Sequence, residues 1–96
     1  MNIQRVGIVG CGLMGAGIAQ SAVEAGFNVR VKEVDEALLA KGLARIHAAW
    51  ERAVAKGKLT DAQRTELSQR LHGTLDFATL ADCDLVIEAV PEQLDL

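Results

Sequence analysis

Aromatic side chains are nearly absent. Of 96 residues only Phe27, Trp50 and Phe77 carry such a ring, although half the chain is hydrophobic. A core must therefore be assembled from Val, Ile, Leu and Ala. Cysteine is equally scarce: Cys11 and Cys83 stand far apart, with no spacing that suggests a metal site or a disulfide framework. Each is read as small buried filler in a reducing compartment. There is no basic excess, and a formal net charge of -3 argues against general nucleic-acid affinity. No apolar run approaches the roughly 20 residues needed to span a bilayer. The chain enters its first expected strand without the basic, apolar and cleavage-site pattern of a signal peptide. Internal repeats, low-complexity tracts and linkers are missing as well. These absences leave at most one small soluble domain, expected in the cytoplasm, with neither nucleic acid nor membrane as partner.

What the chain does have is glycine in one place. Val6-Gly7-Ile8-Val9-Gly10-Cys11-Gly12-Leu13-Met14-Gly15-Ala16-Gly17 is an apolar run that feeds a glycine-rich turn and then a small-residue helix. Gly10, Gly12 and Gly15 stand in G-x-G-x-x-G register, the fingerprint of a dinucleotide-binding turn. Gly10 permits a tight exit from the strand. Gly12 lets a pyrophosphate approach the backbone, and Gly15 lets the helix pack closely on the neighbouring strand. Unpaired N–H groups at the helix N-terminus then face the phosphates.

The surroundings meet the requirements of that fingerprint. Ile3 to Val9 reads as a strand buried on both faces. Leu13 to Ala25 reads as a helix ended by Gly26, and Asn28 to Glu33 as a second strand. Together they form a βαβ unit. Asp35 is placed to cap a long helix from Glu36 to about Lys56, with Leu39, Leu43, Ile46, Trp50 and Ala53 or Val54 as its buried stripe. Gly57-Lys58 breaks it. Thr60-Asp61-Ala62-Gln63 is a capping box that opens another helix to about Leu71. A short strand is expected near Gly73 to Leu75, a helical turn over Phe77 to Ala81, and a last strand over Leu85 to Val90, ended by Pro91.

Glu33 lies at the expected end of the second strand, eighteen residues after Gly15. An acid there can accept hydrogen bonds from the adenosine ribose hydroxyls and would repel a 2′-phosphate, so it favours NAD over NADP; the alternative is a solvated acid at a strand end. Gly17, one turn into a helix, has either a packing or a ligand-approach reason. Lys41, Arg45, Arg52 and Lys56 share one helix face, continued by Lys58. A solvated face is the default reading of such a stripe, and contact with a phosphorylated ligand is the alternative. His47 and His72 lack the neighbours of a catalytic base and read as ordinary surface or packing residues. Glu88 and Glu92 flank the end of the last strand, near the crevice where ligands sit in open α/β sheets. Glu92, beyond the proline, is the freer to reach one.

The glycine segment, Glu33, the Glu36-Ala37-Leu38 helix start and Asp84-Leu85-Val86-Ile87-Glu88-Ala89-Val90-Pro91-Glu92 together resemble the NAD-binding domain of 3-hydroxyacyl-CoA dehydrogenases, bacterial 3-hydroxybutyryl-CoA dehydrogenases in particular. The expected fold is α/β: a Rossmann-type parallel sheet, strand order 3-2-1-4, with a helical hairpin between strands two and three. Residues 1–96 would be the N-terminal part of an incomplete domain. The resemblance implies oxidation of the 3-hydroxyl of an acyl-CoA by hydride transfer to NAD. It implies that Gly10, Gly12, Leu13, Met14 and Gly15 line the pyrophosphate turn, and that Glu33 binds ribose where the family usually has Asp. It places Glu92 near the nicotinamide and Lys56 against CoA. The family's catalytic histidine, its orienting glutamate and the nearby serine and asparagine fall beyond Leu96, as does a helical domain that supplies dimer contacts. No catalytic residue is therefore expected here, and an open strand edge is expected to invite self-association. Related 3-hydroxyadipyl-CoA, carnitine or gulonate dehydrogenases, or a non-catalytic nucleotide-binding module, are the competing readings.

Overall fold

The computed structural model describes residues 2–89. Their order is β1 (Arg5–Val9), α1 (Leu13–Glu24), β2 (Asn28–Lys32), α2 (Glu36–Ala55), α3 (Asp61–Gln69), β3 (Leu71–Thr74), a single 3-10 turn (Phe77–Leu80) and β4 (Leu85–Glu88). The strands form one sheet in the order β3-β2-β1-β4, and every pairing is parallel. The expected strand order and the hairpin between β2 and β3 are both present.

Side-chain alternation sorts the two faces of the sheet. Val6, Ile8, Val29 and Val31 point to one side and are buried with Ala19 and Val23 of α1 and Ile46 and Trp50 of α2. The core is aliphatic apart from Trp50 and Cys11, with Phe27 packed against its margin, as the shortage of aromatics requires. Trp50 is 1% exposed, and its indole N–H donates to Glu24 Oε2 at 3.0 Å, so the polar edge of the ring is satisfied where α2 crosses α1. Burying a side chain of this size contributes several kcal/mol, which matters in so small a domain. Leu39 and Leu43 pack against the same cluster, and Gly73 of β3 lies beneath them: a β-carbon there would come within 2.9–3.0 Å of their methyl groups.

The opposite face is polar around Arg30, which donates to the Thr79 carbonyl at 2.7 Å and pairs with Asp82. Asp82 also meets Arg5 at 3.2 Å, and these guanidinium groups, Arg30 above all, hold its carboxyl below the ordinary range. Asp84 precedes β4 and accepts the backbone N–H groups of Gln4 and Arg5 at 2.9 and 3.0 Å. Those bonds stitch the start of β4 to β1 and depress its pKa in turn.

Helix ends follow local chemistry. Asp35 Oδ1 accepts Leu38 N–H at 2.8 Å, and Thr60 with Gln63 forms the expected reciprocal capping box. α2 stops at Ala55 with Lys56 as its cap. Gly57 takes φ +73°, which brings Lys58 N–H to the Ala53 carbonyl and its own N–H to that of Val54, a Schellman closure. α1 ends at Glu24, one residue short of the expected bound, with Ala25 as its cap.

Other boundaries differ from expectation as well: β2 ends at Lys32, one residue before Glu33, and the 3-10 turn at Leu80, one before Ala81. β1 starts at Arg5; Ile3 is outside it and exposed. α3 ends at Gln69 rather than Leu71, because Leu71 is drawn into β3 opposite Val29 and buried. β3 accordingly begins two residues before Gly73. Sheet pairing overrides a helical tendency whose only reward would be an exposed last turn. β4 ends at Glu88, with Ala89 already outside it and short of the expected bound at Val90; Val90 and Pro91 themselves lie outside the described residues.

Replacing Ile46, a fully buried core residue, by Ala is expected to lower unfolding free energy by about 2–5 kcal/mol, followed in urea by the fluorescence of Trp50. Acid sensitivity is expected as well. Asp82 and Asp84 have folded pKa values below the ordinary 3.8, so their contribution is complete above that value and is lost as pH falls through the depressed folded values. Asp84→Ala should flatten this acid limb of the stability profile.

Candidate functional site

The carboxyl ends of β1 and β2 converge on the glycine turn. Gly10 adopts φ +99°, a conformation that L side chains resist, and its N–H donates to the Lys32 carbonyl at 2.8 Å. That bond extends the β1–β2 ladder by one step before the chain turns away. Gly12 then caps α1 with extended φ and ψ and no side-chain bond. The first N–H groups of α1 therefore point out of the turn without an intrahelical acceptor.

The three fingerprint glycines serve different needs. A β-carbon at Gly15 would overlap the Gly10 carbonyl oxygen and lie 2.8 Å from its carbon. The tightness is thus internal to the turn. Because Gly10 continues the end of β1, this is the close approach of helix to strand expected for Gly15, and Ala89 after β4 adds only an ordinary 3.5 Å contact. Gly12 is the reverse case: a β-carbon there would meet nothing within 4 Å. Protein packing does not require its smallness, so its open side is a cradle that a β-carbon would fill and a phosphate would otherwise approach. Gly17 also has open space where its β-carbon would be, which removes the packing reason for it.

Glu33 follows β2 directly, and its carboxylate reaches across to the turn. Oε2 accepts Cys11 N–H at 2.7 Å and Oε1 accepts Val34 N–H at 3.0 Å. The acid singled out from the sequence is therefore fixed beside the glycines and is partly buried. Leu13 and Met14 open α1 at 80% and 60% exposure, apolar side chains presented to solvent at the mouth of the turn. Val34, Leu75 and Phe77 are likewise exposed beyond the ends of β2 and β3. Glu88 ends β4 and is exposed, so it needs no partner. Glu92 lies outside the described residues.

Cys11 is 2% exposed, as expected of filler. Burial pushes its thiol up to about 11, with the Glu33 carboxylate adding to the rise and Arg45 opposing it; it is protonated and inert at neutral pH. Cys83 is only half-buried, and both thiols are free.

The basic stripe divides. Arg45 and Arg52 line a groove of about 400 Å³ between α1 and α2, together with Leu13, Gly17, Gln20 and Ala49. Lys41 and Lys56 are exposed outside it. Neither arginine is in an ion pair among the described residues. A larger concavity of about 630 Å³ lies on the opposite sheet face by Arg30, His72 and Asp82, away from the turn. His47 is exposed and packs edge-on against Trp50 at 5.6 Å; His72 is exposed on β3. No group of His, Cys, Asp and Glu among the described residues is arranged to hold a metal.

This geometry fits a dinucleotide, and comparison with known proteins settles the lineage. Residues 5–96 match the family model described as 3-hydroxyacyl-CoA dehydrogenase, NAD binding domain. The chain belongs to this family. A 3-hydroxybutyryl-CoA dehydrogenase of Mycobacterium tuberculosis is 49% identical over 90 residues, 94% of this chain and 32% of the relative. A glyoxysomal fatty acid beta-oxidation multifunctional protein of Brassica napus is 39% identical over 95 residues, 99% of this chain and 13% of that protein. The crystal structure of (S)-3-hydroxybutyryl-CoA dehydrogenase from Ralstonia eutropha superimposes with TM-score 0.91 at 38% identity, covering 97% of this chain and 33% of the other. The chain thus spans about a third of the length of the dehydrogenases it matches. Sequence reasoning missed Gly42, whose contact with Cys11 no linear motif announces.

The two glycines at either side of the helix start provide a paired test. Gly12→Ala should fold like the parent yet lose at least about tenfold in NADH affinity, because only the ligand side is filled. Gly15→Ala should also lower the melting temperature, since its methyl overlaps the Gly10 carbonyl. Equal behaviour of the two variants in thermal melts and NADH titrations would show the cradle to be misassigned.

Proposed function

We propose that this chain is the N-terminal, cofactor-binding part of an NAD-dependent L-3-hydroxyacyl-CoA dehydrogenase, which converts a 3-hydroxyacyl-CoA to the 3-oxoacyl-CoA. The observation that carries the proposal is the pairing of an open Gly12 cradle with the Glu33 carboxylate fixed across the turn. NAD bound there would supply the hydride acceptor. The chain's own residues bind and orient. Gly10, whose own N–H is held by Lys32, shapes the turn, while Gly12, Leu13, Met14 and Gly15 present backbone N–H groups and the positive end of α1 to the pyrophosphate. Glu33 accepts from the ribose hydroxyls with the lone pairs not used by Cys11 and Val34. Val34, Leu75 and Phe77 offer apolar surface to the adenine at the same rim, and Glu92 serves the nicotinamide side.

On the substrate side we assign Lys56 to the CoA moiety. Its support is the groove one turn away, where Arg45 and Arg52 offer unpaired positive charge over a floor of small residues. In this proposal the reacting groups and a helical dimerisation domain belong to the rest of a homodimeric cytoplasmic enzyme. No described helix is long and apolar enough to cross a membrane. β4 stands at the outer edge of the sheet with Leu85 and Val86 exposed, which favours self-association of this stretch when it stands alone.

Titration with NADH and NADPH, read by quenching of Trp50 and energy transfer to the dihydronicotinamide, is expected to show at least about tenfold preference for NADH, because Glu33 repels a 2′-phosphate. Preference for NADPH would sink the assignment of Glu33. The 96-residue chain should form no NADH from NAD and 3-hydroxybutyryl-CoA, since this proposal assigns the base for the 3-hydroxyl to the rest of the enzyme; turnover would show that the reacting groups lie within the chain.

A further inference from the structure

A glycine inside a helix weakens it relative to alanine and so calls for a reason. Gly42 occupies the second turn of α2 and is buried. A β-carbon there would overlap the sulfur and the carbonyl oxygen of Cys11 and lie 2.6 Å from the Cys11 β-carbon. All three atoms belong to the middle of the glycine turn, thirty-one residues away in the chain. The same Cys11 gives its N–H to Glu33. Its side chain therefore points into α2 while its amide points at the carboxylate.

We infer that Gly42 is a positioning residue for the cofactor turn: the space left by its missing β-carbon seats Cys11, and that seat holds the Cys11 amide in line with Glu33. The turn is thus braced from behind by α2 as well as shaped by its own three glycines, and position 42 acts as a fourth. Because Cys11 lies between Gly10 and Gly12, a shift of α2 by part of an ångström is transmitted directly to the backbone that faces the phosphates. Helix dimensions leave no slack here, since the overlap involves backbone as well as side chain. The inference rests on the cofactor reading of the turn.

The test uses the whole chain in a Cys83→Ser background, so that Cys11 is the single thiol. In the parent, Cys11 should be masked from a thiol reagent such as dithiobisnitrobenzoate. Gly42→Ala should raise its labelling rate at least about tenfold at temperatures well below the Trp50-monitored melt, and weaken NADH at least about tenfold, the size of loss that small misplacements of positioned groups produce. Adding Cys11→Gly removes two of the three atoms the new methyl meets. C11G/G42A should therefore bind NADH at least about threefold more tightly than Gly42→Ala alone, a coupling expected only of residues in contact. Should Gly42→Ala fail to fold, the double variant should fold. The inference is overturned if Gly42→Ala keeps Cys11 masked with parental NADH affinity, or if the double variant recovers nothing. A parent chain that does not bind NADH overturns the cofactor reading instead, and the labelling arm then decides this inference by itself.

Discussion

The glycine turn depends on a steric constraint between Gly15 and the Gly10 carbonyl, which leaves no room for a β-carbon on the helix. With that clearance the chain reverses direction within a few residues, and α1 starts directly over the end of β1. Gly10 continues the hydrogen-bond ladder to Lys32 in a left-handed conformation, so the reversal is reached without leaving a strand amide unpaired. The position of α1, and with it the direction of its N-terminal N–H groups, follows from this close approach.

Around that centre the domain is held together with few specific devices. The core consists of short aliphatic side chains on one face of the sheet, closed over by the single indole of Trp50, whose N–H is taken by Glu24. Polar clamps do the rest. Asp84 ties the entry of β4 to β1, Asp82 gathers Arg5 and Arg30 on the far face, and Glu33 closes across the turn. Each clamp joins segments distant in sequence, so each reports on the completed sheet and not on a local tendency. In the proposed enzyme this gives Glu33 two tasks, one toward the turn and one toward a ribose, which a carboxylate with several lone pairs can combine.

Much of this is legible in the sequence for definite physical reasons. The G-x-G-x-x-G register, Asp35 and the Thr60–Gln63 box are local signals, each acting over one helical turn, and the structure shows the expected caps. The stripe Leu39, Leu43, Ile46, Trp50 follows helical period and packs on the core. The glycines were less transparent. Gly15 clears the end of β1 at the single carbonyl of Gly10, which the spacing alone does not specify, and Gly17 admits two explanations in the sequence where the structure leaves its surroundings open. The basic residues of α2 share one helix face by spacing, but the groove against α1 takes only Arg45 and Arg52.

Taken alone, the sequence determined which segments are strands or helices, where the helices are capped, the dinucleotide fingerprint and the acid that accompanies it, because periodicity, capping and turn chemistry act among near neighbours. Tertiary structure decided where α3 yields to β3, since only pairing with Val29 makes Leu71 worth extending and burying. It also decided that Glu33 meets Cys11 and that Cys11 meets Gly42. Those contacts join residues twenty-two and thirty-one positions apart, and no one-dimensional pattern encodes the distance at which a helix comes to rest against a turn.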